Sequence, residues 1–410
     1  MNSSRQTMTA LLFAIFVSSI PATLILPMIP SLGVEFGVAP AELGLLVGIY
    51  PLMSMLASPF WGRLSDRYGR KPILIVTLAG GALAFLCFAL STSWTGLFIG
   101  RALQGLAGTP RGIGFAVASD TSDTDARSAS MGAVTAPMAV AFMVGPLIGG
   151  LFMGENPDSF AGELRTMVGL PADGFNHVLP SLLGIVMNIA GMLIIAIGFK
   201  ETWHPHASKT TAEEKHTHRH SIREVLAHAS VLLAVAFFLL SGFIQGSVQF
   251  SFTLWAHMTY SWSAQWIAWA GAAIGLGFAL GSGVLLRPML KRLGQEKTVL
   301  TGTLIDVLGL ILFLMFQAMP VIALTGLMIS STGGALWATT ILGLLSRDIN
   351  PRDQGLALGV ANGAALFGRV MGPVLAGYLA VSIAPAAPFF VILMCISLAI
   401  IRGIALVRQP

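Results

Sequence analysis

Four ionisable side chains stand where this chain can least accommodate charge. Arg101, Arg111, Asp306 and Arg369 each lie inside a long apolar run. A guanidinium or carboxylate in hydrocarbon needs a partner or a water-filled cavity, and such groups mark routes for solutes or protons. Asp306, about eight residues into its run, is the one deep acid and the candidate proton carrier; packing between helices is the alternative. Glu42, at the end of another run, is a weaker candidate. Arg101 lies about seven residues into its run, roughly 10 Å deep at 1.5 Å per residue, and Gln104 follows one turn later. A structural arginine bonded to backbone carbonyls is the plainer reading of Arg101. Arg369 could attract an anion or pair with an acid. Gln245 and Gln249 alternate with serines among aromatics that include Phe252. Uncharged hydrogen-bonding groups beside aromatic and methionine surfaces suit a moderately polar or amphipathic organic molecule. Their alternative is burial in helix packing.

The elements that must position these groups follow from composition. Of 410 residues, 55% are hydrophobic and 10% charged, against roughly 25% charged in an ordinary soluble domain. So little charge excludes a soluble enzyme, a disordered scaffold and a secreted disulfide module, and leaves an integral membrane protein. The apolar runs are continuous, which argues against a transmembrane barrel. Twelve stretches are long enough to cross a bilayer: 8–30, 42–61, 73–92, 95–118, 129–153, 179–199, 229–255, 264–286, 298–317, 320–345, 354–380 and 383–401. The expected fold is an all-α membrane protein of twelve helices. Of the 23 lysines and arginines, about 19 fall on one side of these spans and only Arg165 on the other. Both termini are therefore expected in the cytoplasm, and the basic balance is a topology signal rather than a sign of nucleic acid.

A polar segment, 200–228, divides the chain into halves 1–199 and 229–410. It contains His204, His206, His216, His218, His220 and His228. Metal binding or sensing is one reading of it, which would make the chain a transporter-like sensor; a solvated linker is the plainer one. Cys87 and Cys395 both sit in apolar runs and read as small buried hydrophobes. The halves echo each other. Gly132/Gly359 and Gly145-Pro146/Gly372-Pro373 share an offset of 227 positions. Two such halves enclose a cavity near the midplane, and rocking one against the other opens it to each side in turn.

The stretch from Gly62 to Lys71, GRLSDRYGRK, resembles the loop 2–3 signature of the major facilitator superfamily. Arg101, Gln104 and Gly105 are similar to its RxxQG motif. Gly145, Pro146, Gly149 and Gly150 are similar to the GPxxGG motif of its proton-coupled drug exporters, with Ala141 where a leading glycine is expected. The resemblance implies two pseudo-symmetric six-helix bundles and export of a small organic compound in exchange for protons. It implies a cytoplasmic latch of Gly62, Asp66, Arg67, Gly69 and Arg70. In it Arg70 pairs with Asp120, and Asp66 meets the start of span 11 near Gln354–Gly355. It assigns Arg101 to proton movement, the span-5 glycines and Pro146 to a bend that seals the cavity, and spans one and seven to its lining. Arg287 and Lys291 stand where a repeat of the latch would place other residues, so the first half is expected to dominate gating. Span 1 carries no acid, which keeps proton-independent or symport movement of a metabolite, siderophore-like anions included, as a rival. No nucleophile–base or metal-ligand group stands at membrane depth. The expectation is a monomeric inner-membrane transporter without enzymatic activity, metal or cofactor, driven by the proton gradient.

Overall fold

A computed structural model describes residues 3–108, 110–121, 127–203, 229–347 and 354–407. The histidine-rich stretch 204–228 lies outside the described residues, as do the side chains of Arg111, Gln354 and Gly355. Every described element is helical, with no strand among the described residues. Backbone groups in hydrocarbon have no water to bond, so each segment must satisfy its own amides.

Punctuation follows the glycines, prolines and serines. Helix α1 (Ser3–Phe36) stops at Gly37, whose φ is 63°. Pro40 opens α2 (Pro40–Tyr68), where its missing N–H is harmless. Gly69, at φ 98°, separates α2 from α3 (Arg70–Ala89). Ser93 caps α4 (Trp94–Ala107) by accepting the Gly96 amide at 3.2 Å. The sequence predicts one helix over 95–118. Instead Gly108, at φ 74°, ends α4, and Pro110 begins α5 (Pro110–Thr121). Next come α6 (Arg127–Phe152), a short outer-loop helix α7 (Phe160–Met167) and α8 (Val178–Gly198). The second half holds α9 (Ala229–Tyr260), α10 (Ala264–Ala279), a π turn (Leu280–Leu285), α11 (Leu286–Met315), α12 (Pro320–Arg347), α13 (Gln354–Ser382) and α14 (Ala387–Val407). Gly294, at φ 76°, breaks the run inside α11.

Among the described residues eight segments are long and apolar enough to cross a membrane, with Ala264–Met315 counted as one. At 1.5 Å per residue an unbroken helix of 52 residues would run about 78 Å, more than twice the hydrocarbon thickness. The break at Gly294 explains why the sequence reads two spans there.

Below, the outer end is the one where the sequence places few cations. Leu24, Met28, Ile29 and Leu32 of α1 and Leu43 and Leu46 of α2 pack there with Phe250, Leu254, Ala268, Ala376 and Ala380 of the second half in one buried core. Two other cores stay within one half each. Leu11, Ile15, Leu74, Val117 and Phe199 form one; Trp255, Leu310, Phe313, Phe389 and Ile392 form the other. Contact across the halves runs through α2 against α13 and α6 against α10. A Cβ on Gly44 would press on the Pro373 carbonyl, and one on Gly275 would stand 2.5 Å from the Phe142 oxygen. At the inner end, a Cβ on Gly62, Gly283, Gly359 or Gly363 would meet nothing within 4 Å among the described residues, as would one on Gly37, Gly169 or Gly174 in the outer turns. Among the described residues the one buried core shared by the two halves lies at the outer end.

Candidate functional site

The turn after α2 builds the first cluster. Gly69 takes its positive φ and donates its N–H to the Ser65 carbonyl at 3.1 Å. That folds Arg70 back over the end of α2. Its Nη1 donates to Asp66 Oδ1 at 2.5 Å and Ser65 Oγ at 2.8 Å; its Nε donates to Asp120 Oδ2 at 3.0 Å. The Arg70 side chain is buried, whereas Asp66 keeps 65% of its side chain exposed. One cation thus ties α2, α3 and α5, and the expected Arg70–Asp120 pairing is present. Arg67 stands apart, over the Tyr68 ring at 5.3 Å.

A residue with no expected role completes this cluster. The first amides of a helix lack intrahelical partners and carry partial positive charge. Here Glu201, just beyond α8, accepts the Arg70 and Lys71 amides of α3 at 2.9 Å each. It also accepts the Thr202 and Trp203 amides at 3.0 Å. Desolvation alone would raise the pKa of this carboxyl; the four backbone bonds outweigh it and hold the pKa below the usual range.

Deeper in the first half, Arg101 is buried with no carboxylate at ion-pair distance among the described residues. Its Nη1 donates to Gln104 Oε1 at 2.5 Å, and its guanidinium lies 4.9 Å from the centre of the Tyr50 ring. The motif glycine Gly105 makes that stack possible, since a Cβ there would stand 2.5 Å from the Tyr50 carbonyl. The partner is therefore an aromatic face on α2, not an acid.

Helix α6 continues through Pro146. Gly145 and Gly149 lie against Thr23 and Leu24 of α1, and Gly150 lies against Trp269 of α10. Pro146 has no N–H for the Phe142 carbonyl four residues earlier, and Gly275 of α10 sits against that carbonyl. The motif thus joins the halves by close approach, with the first and sixth helices meeting α10.

In the second half, Asp306 is buried between α11 and α12. Its Oδ1 accepts from Ser330 Oγ at 2.6 Å and its Oδ2 from Trp337 Nε1 at 2.9 Å. It does not meet Arg101 or Arg369. Arg369 Nη2 donates to Gln245 Oε1, joining α13 to α9 and bringing two expected residues together. Gly242, Gly246, Gly368 and Gly372 let those helices touch along their backbones. Gln249 is partly buried on the same helix. Phe252 is buried within the core of the second half, and Phe250 joins the core shared between the halves. Glu42 is exposed in the first turn of α2, where a carboxylate complements the helix dipole. Arg287 and Lys291 are exposed.

The outer loop is folded rather than plain. Ser159 caps α7 by accepting the Gly162 amide at 3.1 Å. Arg165, the lone outer cation of the sequence, is buried and donates to the carbonyls of Gly154 at 2.7 Å, Ala172 at 2.6 Å and Gly174 at 2.5 Å. That loop, the end of α1 and the α9–α10 turn border an open cavity of about 390 Å³ lined by Glu35, Glu155, Phe175, His257 and Trp262 among others. No group of three or more potential metal ligands occurs among the described residues.

Residues 11–362 match a family model described as the Major Facilitator Superfamily. The chain is 26% identical over 359 residues to the class B tetracycline resistance protein of Escherichia coli, covering 86% of this chain and 83% of that one. It is 26% identical over 389 residues to the class E protein of Escherichia coli, covering 92% and 88%. A D-xylose-proton symporter superposes with a TM-score of 0.77 at 13% identity, covering 97% of this chain and 96% of that one. The human organic anion transporter MFSD10 (TETRAN) superposes with a TM-score of 0.70 at 17% identity, covering 98% and 100%.

Proposed function

This chain belongs to the major facilitator superfamily, and we propose that within it the chain is a proton-coupled exporter of a small organic compound. It is an integral multi-pass membrane transporter and not an enzyme. The finer reading has twelve membrane-crossing helices in two six-helix bundles, both termini in the cytoplasm, a bacterial-type inner membrane, a monomer and no cofactor. Similarity to proteins named for tetracycline resistance supports a drug-like cargo. Gln245 and Arg369 offer such a cargo an amide and a positive charge at the α9–α13 contact, which suits a neutral or anionic molecule.

The observation that carries this reading is the asymmetry between the two ends. A shared buried core joins the halves at the outer end, and the other two cores among the described residues each stay within one half. This is the asymmetry that one end state of alternating access would have. In the opposite state α2 and α13 would close at the inner end, and the Asp66–Arg70–Asp120 cluster is the charged tie available there. Asp306 is the buried carboxylate available for the coupling proton. A proton on Oδ1 would reverse the Ser330 bond, because that hydroxyl accepts as well as donates, while Trp337 keeps its bond to Oδ2.

Proteoliposome flux with and without a pH gradient tests the reading. Gradient-driven export is expected, weakened in Asp66→Asn and lost in Asp306→Asn. Flux that ignores the gradient removes antiport and favours the second reading, proton-independent or symport movement of a metabolite, which the lack of any acid over 8–30 supports. Intact pH-driven flux in Asp306→Asn removes that residue as the proton site.

A further inference from the structure

The open cavity at the outer end is built by both halves. Its volume of about 390 Å³ falls in the range of small-molecule sites. The first half contributes Glu35 from the end of α1, and Glu155 and Phe175 from the outer loop. The second half contributes His257 of α9, with Ser261 and Trp262 of the α9–α10 turn. No lysine or arginine lines it among the described residues.

Both walls are held in place before anything binds. Arg165 donates to the carbonyls of Gly154 and Gly174, the residues directly before Glu155 and Phe175. The Gly174 amide also donates to the Glu155 carbonyl at 3.0 Å. One buried guanidinium thus braces both cavity residues of the loop. On the opposite wall the Ser261 amide donates to the His257 carbonyl at 2.8 Å. His257 Nδ1 lies 3.2 Å from the Trp262 carbonyl. A carbonyl only accepts, so Nδ1 carries the hydrogen and a neutral ring keeps Nε2 as an acceptor. The Trp262 ring stacks on Tyr260 at 5.1 Å. Walls that are already ordered cost a ligand less on binding.

The chemistry of the cavity is one-sided. Glu155 and Asp173 both act on Arg165, so with Glu35 three acids stand against one guanidinium that three carbonyls already hold. A hard metal ion takes six or more oxygens, and no group of three or more potential metal ligands occurs among the described residues. An ammonium carried on an apolar or aromatic body is the better match. Carboxylates answer its charge, and the faces of Trp262 and Phe175 answer both charge and body. We infer that this cavity binds a small organic cation of that kind, at a site separate from the Gln245–Arg369 contact. Its walls come from both halves, so the occupant bridges them. The bound cation therefore favours the state in which the outer end is closed.

Fluorine NMR on full-length protein carrying 5-fluorotryptophan, in lipid nanodiscs, tests the site with benzyltrimethylammonium as the probe. Trp262→Phe assigns the signal. The Trp262 signal should shift saturably with the probe and stay in place with benzenesulfonate, an aromatic anion. Glu35 is exposed and Glu155 half-buried, so each carboxylate adds little alone. The double variant Glu35→Gln/Glu155→Gln should bind about tenfold more weakly. No saturable shift up to about 10 mM probe, an equal shift with benzenesulfonate, or wild-type affinity in the double variant each overturns the proposal. The signal is read without turnover, so the outcome is independent of how transport is driven. A second readout uses Ala268→Cys, buried in the core shared by the halves, and an impermeant maleimide. At about ten times its dissociation constant the probe should slow labelling by up to about tenfold. Equal rates with and without the probe overturn the bridging of the halves.

Discussion

The contact between Gly275 and α6 is the place to test what shuts the outer seam. Gly275→Ala puts a Cβ 2.5 Å from the Phe142 oxygen, 2.9 Å from its carbonyl carbon and 3.0 Å from Met143 Cα. All three are backbone atoms and none can rotate away. Ordinary contact begins near 3.4 Å, so α10 and α6 must part by about 0.9 Å. Overpacking of this kind costs about 1–3 kcal/mol. The strain exists only while the seam is closed, so it shifts the equilibrium toward the outer-open state by about 5- to 150-fold. The assay is labelling of Ala268→Cys by an impermeant maleimide, with Cys87→Ser and Cys395→Ser removing the native thiols. The rate should rise by that factor in Gly275→Ala. Gly363→Ala, where the new methyl meets nothing within 4 Å among the described residues, should leave it unchanged. An unaltered rate in a folded Gly275→Ala protein would refute the argument that this backbone contact holds the seam.

Two further outcomes follow from buried polar geometry. Glu201→Gln removes a charged cap from α3, and loss of a helix cap costs about 0.5–2 kcal/mol. The Glu201 pKa is lowered by folding, so its stabilisation is present above the ordinary carboxylate range and is lost as pH falls through the folded value. The Tm gap between wild type and Glu201→Gln should thus be open at pH 7 and close in acid. Arg165→Ala leaves the carbonyls of Gly154, Ala172 and Gly174 without their donor, at about 1–3 kcal/mol each where they stay buried. Hydrogen exchange should show loss of protection over 154–178 with the membrane helices unaffected; uniform protection would contradict the pinning role.

What the sequence makes legible is what short-range pattern controls. Apolar length marks a multi-pass helical membrane protein, and the Gly69 turn with Asp66 four residues before Arg70 is readable as one unit. Arg70–Asp120 is reached through a resemblance, and Arg369–Gln245 places two separately suspected residues on one contact. The missing pieces are tertiary. Tyr50 under Arg101 depends on how α2 crosses α4, which no periodicity encodes. Glu201 reads as the start of a polar linker; its one signal was a carboxylate directly after a span, on the same side as an uncapped helix start. Arg165 had a clearer signal, being a lone cation in an acidic outer loop, yet three backbone carbonyls rather than acids claim it. Phe252 and Phe250 are two apart on one helix, and only the packing of α9 decides which meets the other half.

The π turn at Leu280–Leu285 has its own effect on how this part of the chain can be altered. A widened turn holds an extra residue, so side chains beyond it are rotated by about 100° relative to an uninterrupted α-helix. Upstream, Gly275 addresses Phe142 and Gly277 addresses Met328; downstream of the turn's start, Gly281 addresses Thr332. Deleting one residue between 280 and 285 would restore regular winding and at the same time swing everything up to Gly294 onto the wrong azimuth. Insertions and deletions there act as a dial on angular phase rather than on length, and a single helical-wheel drawing of 264–293 describes no real face of the protein.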